Sequence, residues 1–456
     1  MSDTPANLPP KRAVRDRIAD VHVPFVYVAL AFGVLGGFSL AVTLSAEAVI
    51  AGVSASWASH AQVHGHLQVI GFAGIFVVGV ASKLIPRFGN GTLPRSREVT
   101  AILWCLGGGV LARAVGQPVI PYGPVGSVIL DLGAALELVG ALLFTRIVLE
   151  IMGRAIRDGE PHAIQIGAGA LWFAVQASLG LGWLAAMAAG GDRILRSDQD
   201  GALLTMQFFG FLFGVFSGVG LRSFPTLFGM PTPSRALGLV GCALTQGGLA
   251  LWVVAGLLSE PRSSAVGQAV FGAGALVFIS AFGFWKRETR FAAASQPLAW
   301  ALRGALLSLS LVGLLLLTSG LEAAVTGHAV AVRVTDGARH IFAVGVITLG
   351  IVGMAQLILP EFASERLVRQ PSRARGPLYA AALLSAMLLR GVVPLASLPD
   401  NVRFTSMLLG GMFAWIAAGV FAVQFIRARR AHLDYLGRMA KWRASGESLP
   451  VVEQPE

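Results

Sequence analysis

His66–Pro86 reads HLQVIGFAGIFVVGVASKLIP, with Gly71, then Gly79 eight residues later, then Pro86 seven beyond that. The same spacing returns as Gly210, Gly218 and Pro225, and again as Gly345, Gly353 and Pro360. Each copy lies in an apolar run of helical length, and His66, Thr205 and His340 each stand five residues before the first glycine. Thr205 follows His66 by 139 residues and His340 follows Thr205 by 135, so the chain repeats at a regular interval. Glycines eight apart fall near one face of a helix, because eight residues slightly exceed two turns.

The 456 residues are 55% hydrophobic and only 13% charged, with a mean hydropathy of +0.71. Soluble domains carry about 25% charged residues, so this composition excludes one. Apolar runs of about twenty residues read as membrane spans, since only a helix satisfies its own backbone in lipid. The 56 glycines suit helices that approach closely there. Twelve spans are predicted, at 22–44, 62–86, 99–117, 125–150, 163–189, 202–226, 235–258, 264–285, 299–325, 338–360, 377–398 and 404–426. The repeated phrase falls in spans 2, 6 and 10. The expected fold is therefore an all-α integral membrane protein of about twelve transmembrane helices. They form three four-helix units, 22–158, 159–292 and 293–426, related by a pseudo-threefold axis along the membrane normal.

The net charge of +11 reflects basic connections and tails rather than nucleic-acid binding. Arg95, Arg97, Arg154, Arg157, Lys286, Arg287, Arg290, Arg366, Arg369, Arg373 and Arg375 fall in one set of connections. The opposite set is poorer, with Arg193, Arg196, Arg262 and Arg333. Both termini, 1–21 and the basic tail 427–456, are thereby expected in the cytoplasm. The polar start with Lys11, Arg12, Arg15 and Arg17 leads into a long apolar span, so no cleaved signal peptide is expected. Cys105 and Cys242 both lie in apolar runs, with no CxxCH and no disulfide framework.

In this topology His66 and His340 lie at similar depth near the outer ends of spans 2 and 10. Neutral imidazole ligates heme iron, copper or zinc, and two histidines from two helices suit a six-coordinate heme. The alternative is a pair of interfacial histidines bonded to carbonyls or water. Arg113 and Arg390 sit near the outer ends of spans 3 and 11, whereas span 7 reads Leu249-Ala250-Leu251-Trp252-Val253-Val254. Units with a histidine thus also have an arginine, which suits heme propionates; snorkelling to headgroups is the alternative. His60 and His64 share a helical face and are candidates for a second metal such as copper. His64 replaces His66 as heme ligand if the helix is rotated. His22, His162, His328 and His432 are read as solvated. Asp131 is a candidate partner for a histidine or Arg113, and Glu137 is a polar residue in an apolar span without an assigned partner.

His64-Gly65-His66-Leu67-Gln68-Val69-Ile70-Gly71-Phe72 resembles the HxHExxxGF signature of the NnrS family of polytopic bacterial membrane proteins. Pro86, Gly220-Leu221-Arg222-Ser223-Phe224-Pro225, His340 with Gly345, Arg113 and Arg390 extend the likeness, while Leu67 departs from the family's acid. The span-10 end, Leu359-Pro360-Glu361-Phe362, also departs from it. The resemblance implies a heme- and copper-containing protein of the bacterial inner membrane, linked to nitric oxide stress and denitrification. It implies His64, His66 and His340 as metal or heme positions. The chain is also similar, in placement, to the catalytic subunit of heme-copper oxidases, whose twelve spans form three arcs and hold a low-spin heme on spans 2 and 10. That similarity implies a heme-copper-oxidase-like bundle with heme b at His66 and His340. The oxidase copper site needs histidines in spans 6 and 7, where this chain has Thr205, Met206 and none. Two further expectations stand beside this one. One is a redox enzyme passing electrons from quinol to nitric oxide or another acceptor; the other is a heme-free transporter or metal permease.

Overall fold

A computed structural model describes residues 20–89, 94–283, 296–358 and 372–445. Among the described residues, twelve helices are long and apolar enough to cross a membrane. They are α1 (Val23–Ile50), α2 (Trp57–Phe88), α3 (Ser96–Tyr122), α4 (Pro124–Arg157), α5 (Pro161–Ala189), α6 (Ser197–Phe228), α7 (Arg235–Leu257), α8 (Pro261–Ala281), α9 (Trp300–Thr326), α10 (Val332–Ala355), α11 (Pro377–Leu395) and α12 (Asp400–Trp442). The protein is an all-α, multi-pass membrane protein, and among the described residues there is no β-strand. Pro360, the cations Lys286, Arg287, Arg290, Arg366 and Arg369, and the N-terminal basic cluster lie outside the described residues.

Local sequence sets the helix ends. Proline occupies the first turn of α4, α5 and α8, where its missing N–H costs nothing. Gly159 (φ 72°) and Gly229 (φ 62°) take the left-handed conformation just past α4 and α6, which a side chain would strain. Several helices run beyond the predicted limits. The helix of α2 begins at Trp57 rather than 62, because polar Gln62 and His64 find partners inside the bundle instead of marking a loop. The last helix continues unbroken to Ser445, so the start of the basic tail is helical.

Each helix packs on its sequence neighbour, and α12 packs on α1 to close the ring. The first and third helices of each four also touch: α1 with α3, α5 with α7, and α9 with α11. The interior belongs to α2, α6 and α10. Their apolar windows are 83, 78 and 72% buried, against 39 to 61% for the other nine. These three meet pairwise through stretches of π-helix at Leu67–Gly74, Met206–Leu212 and Ile341–Thr348. Each π stretch starts one residue after His66, Thr205 or His340 and contains the first glycine of the phrase. Such insertions are rare and concentrate at functional sites. Thr348 secures one of them by donating its hydroxyl to the Ala343 carbonyl five residues back.

The glycine phrase is a packing seam. A Cβ on Gly71 or Gly79 would strike Phe32 or Phe25 of α1; on Gly210 or Gly218, Trp172 or Ile166 of α5; and on Gly345 or Gly353, Ser308 or Ala301 of α9. At all six positions the nearest of these atoms would lie within 3.1 Å, tighter than nine in ten real Cβ contacts. The central helix of each unit thus lies against its first helix at backbone distance, which gains dispersion contacts where lipid offers no hydrophobic drive.

Candidate functional site

The first unit builds a buried polar cluster. Helices α3 and α4 cross closely, and a Cβ on Gly109 would stand 2.6 Å from the Gly133 carbonyl oxygen. One turn beyond each glycine stand Arg113 and Glu137, and α2 delivers His66 between them. His66 Nε2 lies 2.8 Å from Glu137 Oε1, and Arg113 Nη1 lies 3.2 Å from His66 Nδ1. Guanidinium can only donate, so Nδ1 accepts and Nε2–H donates to the carboxylate. Both ring nitrogens are therefore engaged, and His66 has no lone pair left for a metal. Arg113 Nε donates to Gln117 Oε1 at 3.2 Å, and Gln117 Nε2 donates to Gln62 Oε1 and the Arg193 carbonyl, each at 3.0 Å. Gln62 closes the chain by exchanging two 3.0 Å bonds with the Leu195 backbone.

A different arrangement surrounds His340. Its Nδ1 lies 2.9 Å from the Asp336 carbonyl oxygen and 3.2 Å from Asp336 Oδ1, while Arg390 Nη1 of α11 reaches Asp336 Oδ2 at 2.9 Å. His64 commits its Nδ1 to the Gly37 carbonyl of α1 at 2.8 Å. His64 and His340 stand on α2 and α10, just before the π stretches through which these two central helices meet. In both His64 and His340, an Nδ1–H held by a carbonyl leaves Nε2 with its lone pair. This is the tautomer that a metal-ligating histidine needs.

The middle unit keeps the backbone and changes the contents. Gly133 abuts the Gly109 carbonyl and Arg113 N; Gly267 abuts the Gly248 carbonyl and Trp252 N; Gly410 abuts the Ala386 carbonyl and Arg390 N. By this frame Arg113, Trp252 and Arg390 occupy one equivalent position. Four residues after the second glycine come Glu137, Phe271 and Ala414. The seat of the charged cluster is thus aromatic in the middle unit. Phe209 stacks on Trp252 at 5.4 Å and meets Phe271 at 5.3 Å and Phe342 at 5.5 Å. Thr205 donates to the Gly201 carbonyl at 2.8 Å, and Arg339 of α10 reaches both that carbonyl and the Thr205 hydroxyl, at 2.9 and 3.2 Å.

No family model matches the chain, and no curated protein matches it. Among solved structures, the fold is distantly similar to a heme-copper terminal oxidase dimer determined by cryo-EM. The TM-score is 0.44 and the identity 14%, over 92% of this chain and 84% of that one.

The predicted residues divide accordingly. His340 and Arg390 come together on Asp336 and His64 is held by Gly37, whereas His66 and Arg113 belong to a separate cluster. Arg113 holds His66 and Gln117, and Arg390 holds Asp336, so both guanidiniums face protein partners. The acid that meets His66 is Glu137 and not Asp131, because Glu137 lies one turn past the α3–α4 glycine crossing. Asp336 escaped the sequence reading, although an acid four residues before a histidine on a helix is a local signal. His60 is half-buried one turn before His64. Among the described residues, no three His, Cys, Asp or Glu side chains gather to hold a metal ion. His328 is exposed as expected, and His162 and His432 are half-buried. His22, expected in solvent, is only 1% exposed. Burial, with the charges of Lys83, Arg429 and Arg87, pushes its imidazole down to about 3, so it stays neutral.

Proposed function

We propose that this chain is a membrane heme protein that holds one b-type heme between His64 of α2 and His340 of α10. One observation carries the reading. Two histidines stand just before the π stretches where α2 and α10 meet, and each turns its Nδ1 to a backbone carbonyl. The donor set fits the group: two imidazoles, each with Nδ1 held by a backbone carbonyl, would hold a heme iron through Nε2. When bound, the heme would supply a one-electron centre. The Gly37 and Asp336 carbonyls would fix the tautomer and plane of each imidazole. The His66 cluster would stay outside the coordination sphere as a buried, hydrogen-bonded support.

A role in the response to nitric oxide, in nitrosative stress or denitrification, follows from the NnrS-like stretch 64–72. With it goes a place in the bacterial inner membrane with both termini cytoplasmic. Copper at His60 and His64 would need a third ligand, and the proposal does not include it. Purified protein supplemented with heme is expected to show a Soret band. His64→Ala and His340→Ala should each shift or abolish its low-spin form, while His66→Ala should leave the spectrum unchanged. Colourless wild-type protein would overturn the heme reading and favour a permease. Rapid carbon monoxide or nitric oxide binding with turnover would favour a quinol-linked enzyme. A band lost in His66→Ala but kept in His64→Ala would return the ligand to His66.

A further inference from the structure

The two candidate axial histidines are held unequally. His64 donates to a neutral main-chain carbonyl alone. The Nδ1–H of His340 goes to the Asp336 carbonyl oxygen at 2.9 Å, and the carboxylate Oδ1 of the same residue lies 3.2 Å from that nitrogen. The two carboxylate oxygens are divided between partners, with Oδ1 toward His340 and Oδ2 on Arg390 at 2.9 Å. Asp336 lies one helical turn before His340, so the helix itself fixes this contact. Arg390 comes from α11, so the packing of two helices aims the carboxylate.

Resting on the heme reading above, we propose that Asp336 is a positioning residue that makes His340 the stronger donor of the two ligands, and that Arg390 restrains this effect by drawing on the same carboxylate. A carboxylate in contact with Nδ1 stabilises positive charge on the imidazole ring and raises the basicity of Nε2. The more basic ligand stabilises ferric over ferrous iron and lowers the reduction potential. The guanidinium on Oδ2 withdraws part of that density. Removal of the acid and removal of the arginine should therefore move the potential in opposite directions.

The test uses full-length protein loaded at saturating heme and compares wild type with Asp336→Asn, Asp336→Glu and Arg390→Gln. Midpoint potential and the low-spin ferric EPR g-values are read for each. Asp336→Asn should raise the potential and change the g-values, with heme affinity about 10–100-fold weaker, as for other partners of a ligating histidine. Asp336→Glu should return toward wild type, and Arg390→Gln should lower the potential. An Asp336→Asn protein with wild-type potential and g-values would overturn the proposal while leaving the heme reading intact. If Asp336→Asn fails to fold, Arg390→Gln decides, and an unchanged or raised potential there overturns the proposal. Wild-type protein without heme would instead defeat the underlying heme reading, and this inference with it.

Discussion

The first and middle units place different chemistry on one backbone frame. At the α3–α4 crossing the seat holds His66, Arg113 and Glu137. At the α7–α8 crossing its counterpart holds Trp252 and Phe271, beside Thr205 on the central helix. Both solutions are complete. In one, Glu137 bonds His66, Arg113 bonds His66 and Gln117, and each ring nitrogen has a bond; in the other, apolar rings pack on rings. Intermediate contents are costly, because a buried charge without its partner loses hydration and regains nothing. The third unit departs again, with Ala414 in the acid position and the carboxylate supplied by Asp336 from the central helix itself. That shift frees the histidine's Nε2, which in the first unit is consumed by Glu137.

The largest expected effect comes from breaking the first seat halfway. Arg113→Leu removes two charged hydrogen bonds and leaves His66 Nδ1 and Gln117 Oε1 buried without their donor, which should cost about 3–5 kcal/mol, read by unfolding in mixed detergent micelles. Converting the whole seat with His66→Thr, Arg113→Trp and Glu137→Phe should recover most of that loss, since a buried ion pair replaced by packed apolar groups is close to neutral. A triple variant as unstable as Arg113→Leu would show that the two seats are not interchangeable.

A middle-sized effect sharpens the comparison along the glycine seam. Gly353→Ala should destabilise by about 1–3 kcal/mol through overpacking, because its Cβ meets Ala301 Cβ at 2.7 Å. Ala301→Gly in the same chain should relieve part of that cost, giving a measurable coupling in a double-mutant cycle. Gly218→Ala meets both Ile166 and the His162 carbonyl oxygen, 2.7 Å away. Trimming Ile166 to Ala should therefore relieve it less. Equal relief at both sites would refute the assignment of a backbone obstacle in the middle unit.

The smallest effect belongs to Thr205→Val. It removes one acceptor from Arg339, which keeps the Gly201 carbonyl. A loss of about 1 kcal/mol is expected in the same unfolding measurement. A loss as large as that of Arg113→Leu would make Thr205 the keystone of the middle unit and contradict the aromatic seat.

By itself the sequence determined the membrane class, the twelve spans, the threefold recurrence of the glycine phrase, and the pairing of histidine with arginine in the outer units. These are legible because lipid forces the backbone into helices and because hydropathy and glycine spacing are local quantities. Only the tertiary structure decided which histidine faces which partner. A π insertion directly after His66, Thr205 and His340 adds a residue to the turn and re-phases each helix by about 100°, so extrapolation along an ideal helix across it misplaces the faces. Glu137 stood out in sequence as a lone acid in an apolar run, but its partner lies 71 residues away. Span 7 was visibly without arginine, yet that Trp252 fills the vacated seat follows from the glycine crossings between helices. The separation of the closed His66 cluster from the His340, Asp336 and Arg390 contacts arises from those long-range contacts, which no local pattern encodes.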